Sequence, residues 1–145
     1  MTTIRQLLDE KGHEVFSVAA NDTVYAALDK MAEKDIGSLV VMDGKNILGL
    51  ITERDYARKV FLKGRASRTT RVQEIIETKV FYAQPDQSVE DCMAIMTDKR
   101  VRHLPVIEGA KLIGVISIGD LVKSIIRDQK FLIDQLEHFI TGRHS

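Results

Sequence analysis

The sequence predicts an α/β (α+β) fold made of two β-α-β-β-α repeats. Three observations carry this prediction: an internal repeat, the same order of apolar and turn residues in each copy, and apolar residues at helical spacing before each hairpin. Sliding the chain by 65 residues aligns Thr23–Tyr56 with Ser88–Leu121 without a gap, and nine of the 34 pairs are identical. Because one copy alone is too small for a stable core, we expect the two to pack sheet to sheet about a pseudo-two-fold axis.

The strands and helices follow the same order in both copies. A short apolar segment comes first, and then a helix begins after Thr23 or Ser88, whose hydroxyls are suited to N-capping. A strand, a tight turn at Asp43-Gly44 or Glu108-Gly109, and a second strand complete each hairpin, since Gly tolerates the positive φ of such turns. The predicted strands are Val15–Val18, Ser38–Met42 and Ile47–Thr52 in copy one, and Val80–Tyr82, His103–Ile107 and Leu112–Ser117 in copy two.

Further helices are predicted outside the repeats. Thr3–Leu8 and Val72–Ile76 are short, whereas the last helix is predicted to begin near Ile118 and run to Ile140. The apolar residues of that last helix exceed what one small core needs, so we expect a partner chain to cover them, as a two-fold homodimer. The predicted organisation is an N-terminal helix and lead-in (1–12), repeat 1 with a linker (13–71), repeat 2 (72–128), and a C-terminal helix and tail (129–145).

Composition narrows the class of protein. The apolar fraction is 44%, the charged fraction 29% and the formal net charge zero, which is typical of a folded globular chain. A neutral chain gives no overall signal for a nucleic-acid partner. The start resembles no signal peptide and no apolar run is long enough to span a membrane, so we expect a cytoplasmic protein with neither nucleic acid nor membrane as partner.

Two copies of one acidic motif close the repeats. They are Gly49-Leu-Ile-Thr-Glu-Arg-Asp55 and Gly114-Val-Ile-Ser-Ile-Gly-Asp120, each preceded by the helix-strand-turn-strand order. On these residues the chain resembles the CBS domain, named after cystathionine β-synthase, over roughly Val15–Val122. The tandem arrangement is similar to a Bateman module. A single motif would be weak support, whereas two in register are strong.

The resemblance implies a binding function. Such pairs commonly bind adenosine-containing ligands (AMP, ATP, NAD(H) or S-adenosylmethionine) in clefts between the repeats. By that resemblance Asp55 and Asp120 hold ribose hydroxyls, and an ionised carboxylate is a suitable acceptor for them. Thr52 and Ser117 would contact the ribose or phosphate. The alternative for both pairs is purely local: a helix N-cap and an acid favoured by the helix dipole.

Basic residues are candidates for phosphate contacts. Arg102 comes just before the second strand of copy two and His103 would lie on that strand facing the cleft, where copy one has the uncharged Gly37 and Ser38, so we expect two unequal sites. The alternative is that Arg102 is simply exposed to solvent and that the ring of His103 is hydrogen-bonded within the protein. Arg54 and Arg58 are four residues apart and would share a helix face, although most charge runs are only solvated surface. The candidate ligand-binding residues are Val18, Ile36, Thr52, Arg54, Asp55 and Arg58 in copy one, and Tyr82, Val101, Arg102, His103, Ser117 and Asp120 in copy two.

No catalytic set and no metal site is predicted. The phosphate-loop and dinucleotide glycine motifs are missing, and the one cysteine, Cys92, lies on the apolar stripe of its helix. The predicted function is therefore a non-enzymatic regulatory module that senses an adenine nucleotide, with AMP first and NAD(H) or ATP next, and signals to its dimer mate or to an unidentified effector protein. The alternative is a dimeric interaction scaffold that has lost its ligand.

Overall fold

The computed structural model describes residues 1–77 and 79–141, which form two compact units. Val15–Phe81 form the repeat-1 unit, whereas Met1–Glu14 join the chain from Tyr82 onward in the repeat-2 unit. The end of the predicted tail, 142–145, lies outside the described residues. The mixed α+β prediction with two repeats is confirmed, and the boundaries predicted within the chain stay predictions.

The elements follow the predicted order, apart from the strand predicted at Val80–Tyr82. The N-terminal helix is longer than predicted, the repeat helices are equal in length, and the last helix runs one residue past its predicted end. They are α1 (Ile4–Lys11), β1 (Ser17–Ala19), α2 (Val24–Lys34), β2 (Ser38–Asp43), β3 (Asn46–Thr52), α3 (Glu53–Tyr56) with a π-helical continuation (Ala57–Phe61), a 3-10 turn (Val72–Glu74), α4 (Val89–Lys99), β4 (His103–Glu108), β5 (Lys111–Ser117) and α5 (Ile118–Thr141).

Each repeat has an antiparallel hairpin with the same register. Ser38 pairs with Thr52 in β2 and β3, and His103 pairs with Ser117 in β4 and β5. A register shift falls at the same place in each, after Val41 and after Val106. The matched irregularities show that the two copies share backbone detail as well as apolar pattern.

Among the described residues, a third strand joins the hairpin of the repeat-1 unit and not that of the repeat-2 unit. In the repeat-1 unit β1 pairs in parallel with β2, and the N–H of Val40 donates to the carbonyl of Phe16 at 3.1 Å. The predicted strand Val80–Tyr82 is wrong, because the segment makes only an isolated bridge from Ala83 to Val106. Position 105 is proline, which has no N–H to donate where Val40 has one. The ladder therefore does not extend back to Val80.

The repeat helices are held by caps and by buried stripes. The Thr23 hydroxyl accepts from the N–H of Ala26, and the Ser88 hydroxyl accepts from that of Asp91. In α2 the buried stripe is Val24, Ala27 and Met31, which pack in a cluster with β2 and β3 residues. The corresponding buried stripe of α4 is Val89, Cys92 and Met96. The prediction that these Met and apolar stripes form core is confirmed by their burial.

Both motif glycines sit where another segment approaches closely. A Cβ at Gly49 would lie 2.5 Å from the carbonyl oxygen of Glu77, and one at Gly114 would lie 2.7 Å from a methyl group of Leu8. Those distances leave no room for a side chain. Each motif therefore begins with glycine because a neighbouring segment packs directly against the backbone of β3 at Gly49 and of β5 at Gly114.

Candidate functional site

The repeat-1 motif folds into a closed hydrogen-bonded corner where β3 ends and α3 begins. The Thr52 hydroxyl accepts from the N–H of Asp55 at 3.1 Å, while Oδ2 of Asp55 accepts from the Thr52 N–H and from its hydroxyl at 3.0 Å each. This reciprocal capping box fixes the carboxylate at the strand end. The side chain of Asp55 is 20% exposed, so it is oriented and still reachable.

The repeat-2 motif forms the same corner with an added cation. The Ser117 hydroxyl accepts from the Asp120 N–H at 3.1 Å, and Oδ2 of Asp120 accepts from the Ser117 N–H at 2.8 Å. The same Oδ2 lies 2.5 Å from Nζ of Lys11, the last residue of α1. Lys11 also donates to the carbonyl of Val115 at 2.7 Å. The N-terminal helix therefore reaches directly into this corner.

Asp120 is held ionised by these contacts. Burial acts to raise the pKa of its carboxyl, but the hydrogen bond from Lys11 and the backbone donor at Ser117 outweigh burial and lower that pKa below its ordinary value. A carboxylate in this state accepts hydrogen bonds and donates none. The corner is therefore an acceptor site at neutral pH.

The repeat-1 corner has its own lysine in a different arrangement. Nζ of Lys59 is 3.6 Å from Oδ1 of Asp55, and donates to the Ile75 carbonyl at 2.9 Å and to Glu77 at 3.2 Å. Neither Lys11 nor Lys59 was among the predicted site residues. The i,i+4 spacing from Asp55 to Lys59 is a sequence signal for that pair, whereas Lys11 is 109 positions from Asp120 and gives none.

Arg102 and His103 lie beside the repeat-2 corner. His103 is opposite Ser117 in the β4–β5 ladder, and the N–H of Ile118 donates to the carbonyl of Arg102 at 2.9 Å. Arg102 is exposed and His103 half-buried. The repeat-1 corner has Ser38 and Gly37 in these places, so the two corners differ in charge as the sequence predicted.

Ile36 and Val101 occupy matching places just before these strands. Each follows a helix cap in the left-handed region, Asp35 at φ 54 and Arg100 at φ 56. Their N–H groups donate to Met31 and Met96 carbonyls, and both side chains are half-buried. They border the corners without taking part in the capping boxes.

The remaining predicted residues lie apart from the capping boxes. Val18 is buried in the repeat-1 core and registers with Val41, and Tyr82 is 41% exposed next to the Ala83 bridge. Arg54 and Arg58 are both exposed. The helix changes from α to π geometry at Ala57, between the two arginines, and the face predicted for them stays a prediction. Their role in binding stays a prediction.

The described residues give little support for a metal site, a cysteine nucleophile or a membrane span. Residues 1–77 and 79–141 contain no group of three His, Cys, Asp or Glu side chains placed to hold a metal ion. Burial raises the pKa of the Cys92 thiol to about 11, so this cysteine is a core residue and a poor nucleophile. None of the described helices is both long and apolar enough to cross a membrane.

Comparison with known proteins identifies the family. The CBS domain profile matches residues 5–61 and again residues 72–127. The chain belongs to the CBS domain family. The two matches account for most of the chain, in the tandem order that the sequence predicted.

Relatives and solved structures agree with a CBS pair. The mitochondrial CBS domain-containing protein CBSX3 of Arabidopsis thaliana is 36% identical over 97% of this chain and 73% of its own length. A Burkholderia ambifaria MC40-6 structure, described as a candidate signal-transduction protein with CBS domains, has a TM-score of 0.85 at 56% identity over 88% of this chain and 96% of that one. The CBS pair of protein MJ0100, in complex with 5′-methylthioadenosine and S-adenosyl-L-methionine, has a TM-score of 0.76 at 19% identity over 86% of this chain and 99% of that one.

Proposed function

We propose that this protein is a non-enzymatic regulatory module that binds an adenine nucleotide at the Thr52–Asp55 and Ser117–Asp120 corners. AMP is the first candidate ligand, and NAD(H) or ATP are the next. The observation that carries the proposal is the state of the two carboxylates. In each, Oδ2 takes two donors from the described chain and is thereby fixed at the strand end, and Oδ1 of Asp55 lies 3.6 Å from the Lys59 ammonium.

An acceptor oxygen fixed in this way suits a ribose. The two adjacent hydroxyls of a ribose are donors, and hydrogen bonds from them to an ionised carboxylate are stronger than bonds between neutral groups. The capping boxes hold both carboxylates before a ligand arrives, so little ordering cost remains. The MJ0100 pair supports the same ligand class, because both molecules in its complex contain adenosine.

The basic residues favour a ligand that carries phosphate. Lys11 and Arg102 bring positive charge to the repeat-2 corner, and Lys59, Arg54 and Arg58 bring it to the repeat-1 side. A guanidinium offers two parallel N–H donors to a phosphate. A phosphate would give the exposed arginines a charged partner that an uncharged nucleoside does not offer, so nucleotides fit the corners better than adenosine does.

The proposed setting is a cytoplasmic homodimer that signals to an effector protein. The apolar surface of α5 supports self-association, with Ile126, Leu132 and Leu136 each 59% exposed. This surface equally favours the second candidate function, a ligand-free dimeric scaffold. The two differ in whether the corners are occupied.

Mass spectrometry of small molecules released from the purified protein tests the proposal. We expect an adenine nucleotide in the released fraction of the protein purified without added ligand, or after incubation with AMP and desalting. Guanine nucleotide offered at equal concentration serves as the control. Release of no adenine species under either condition would contradict the sensor and favour the scaffold.

A further inference from the structure

One face of α5 carries an apolar stripe with heptad spacing along its whole length. Its positions alternate steps of four and three residues, and a second row of three isoleucines runs beside it at steps of seven. Such spacing over three heptads is the pattern of helices that pair with other helices. The stripe consists of Ile118, Val122, Ile125, Gln129, Leu132, Leu136 and Phe139, and the second row of Ile126, Ile133 and Ile140.

The repeat-2 unit covers a different side of α5. Leu121 and Ser124 are buried, the Thr2 hydroxyl donates to Asp128 at 2.9 Å, and Arg127 is ion-paired with Glu10. The stripe lies on another side of the helix from these contacts, and apart from the half-buried Ile125 its residues are exposed in the described chain. Exposure rises towards the C-terminus, from 41% at Val122 to 84% at Phe139. The stripe residues Gln129, Leu132, Leu136 and Phe139 lie beyond the second CBS match, which ends at residue 127.

We propose that the stripe binds the same stripe of a second copy, with the two α5 helices antiparallel and centred on Lys130. This deepens the proposed homodimer and rests on it. With that centre, Val122 of one copy meets Phe139 of the other, Ile125 meets Leu136, and Gln129 meets Leu132. The two isoleucine rows meet as well, Ile126 against Ile133. The other layers named here are apolar on both sides, whereas Leu132 meets Gln129, the one polar residue in the stripe.

Charges bordering the stripe select the antiparallel direction. Lys123, Lys130 and Glu137 follow one another at seven-residue steps along its edge. Parallel pairing would set each of them against its own copy, which gives three like-charge pairs. Antiparallel pairing sets Lys123 against Glu137 twice and leaves only the Lys130 pair unfavourable. Opposite charges at flanking positions set the orientation of paired helices.

A second copy fits the surface better than a membrane does. A helix that lies on a membrane has a polar face rich in Lys and Arg. The polar side of α5 carries both signs, with Asp134, Glu137 and Asp128 interspersed among Lys123, Arg127 and Lys130. This mixture weakens attraction to anionic lipid and favours a protein partner of the same mixed charge.

A charge swap tests the direction and the register. Sedimentation equilibrium of the full chain should show a dimer, and Lys123→Glu or Glu137→Lys should each raise the dimer Kd about ten-fold by converting two attractive pairs into repulsive ones. The double variant should return to the wild-type Kd. Asp134→Lys makes the same charge change on the opposite face and should leave the Kd unchanged. Single variants equal to wild type, or a double variant that is not restored, would overturn the pairing.

Crosslinking separates the pairing from the other proposals. In antiparallel pairing, a short bismaleimide should crosslink Lys130→Cys to the same residue of the second copy but should not crosslink Lys123→Cys. Parallel pairing would crosslink both variants. The native Cys92 is fully buried, and the wild-type protein measures any crosslinking through it. A wild-type dimer without these effects would overturn only the α5 pairing. A wild-type monomer at micromolar concentration, or one that binds anionic vesicles through α5, would overturn the homodimer as well. Calorimetry measures nucleotide binding separately, so its result does not depend on the α5 pairing or on the homodimer.

Discussion

The ammonium group of Lys11 lies 2.5 Å from Oδ2 of Asp120, which joins the end of the N-terminal helix to the first turn of α5. The corresponding distance from Lys59 to Asp55 is 3.6 Å, and Lys59 divides its contacts between Asp55 and Glu77. The two corners therefore have the same acceptor but different electrostatic partners. This asymmetry leads to the first two predictions.

Lys11→Met should weaken AMP binding at the repeat-2 corner about five-fold, because it removes a positive charge that offsets Asp120 near the ligand phosphate. Adenosine, which has no phosphate, should lose less affinity than AMP. Isothermal titration of both ligands measures the difference, and Lys59→Met is the matched change at the other corner. Equal losses for AMP and adenosine would show that Lys11 acts only through structure.

Arg102→Ala should weaken one of two AMP sites and leave the other as it was. Arg102 lies beside Ser117, and its counterpart Gly37 has no side chain to remove. Loss of a hydrogen bond to a charged group costs about 1.5–3 kcal/mol. Calorimetric titrations fitted to two sites check this. Two identical, independent sites in the wild-type protein for every adenine nucleotide tried would contradict the asymmetry.

Acid should weaken the repeat-2 unit through Asp120. The pKa of this carboxyl is lowered in the folded state, so its contribution to the free energy of unfolding is complete above the unfolded value of 3.8 and is lost as pH falls through the folded pKa. We expect urea midpoints of wild type and Asp120→Asn to differ at pH 7 and to converge as the pH falls below 3.8 and through the folded-state pKa. Asp134→Asn, on the solvent side of α5, is the control. A constant difference between wild type and Asp120→Asn across this range would contradict the assignment.

Gly49→Ala should destabilise the protein more than Gly114→Ala. The new methyl group at 49 would meet the backbone carbonyl of Glu77, which is held in a bridge with Leu50, whereas at 114 it would meet the side chain of Leu8. Overpacking of this kind typically costs about 1–3 kcal/mol, and a side chain yields more readily than backbone. Denaturant unfolding measures both variants. Adding Leu8→Ala should reduce the penalty of Gly114→Ala but not that of Gly49→Ala.

Much of the fold was predictable because the two copies repeat each other. Thr23 and Ser88 marked where the helices begin, and Gly44 and Gly109, both with positive φ, marked the hairpin turns. The last helix was predicted to run from Ile118 to Ile140 and ends at Thr141. The strand at Val80–Tyr82 was wrong because a single residue, Pro105, lacks the donor that its counterpart Val40 uses.

The candidate site was predictable only where its partners are close in sequence. Thr52 with Asp55, and Ser117 with Asp120, are three residues apart and form capping boxes whose spacing can be read directly. The Lys11 contact depends on how α1 packs in the repeat-2 unit, and no local pattern reports that packing. The α-to-π change at Ala57, which falls between Arg54 and Arg58, likewise has no signature in residue spacing.

The most direct test of nucleotide sensing is calorimetry of AMP binding to the wild type, Asp55→Ala, Asp120→Ala and the double variant. Each single variant should lose one site, with affinity there weakened by about 1.5–3 kcal/mol because hydrogen bonds to a charged acceptor are removed. The double variant should not bind AMP measurably, and Asp134→Ala should bind like wild type. Circular dichroism establishes that each variant is folded. Unchanged affinity at both sites in both folded single variants would contradict the assignment of these carboxylates to the ribose.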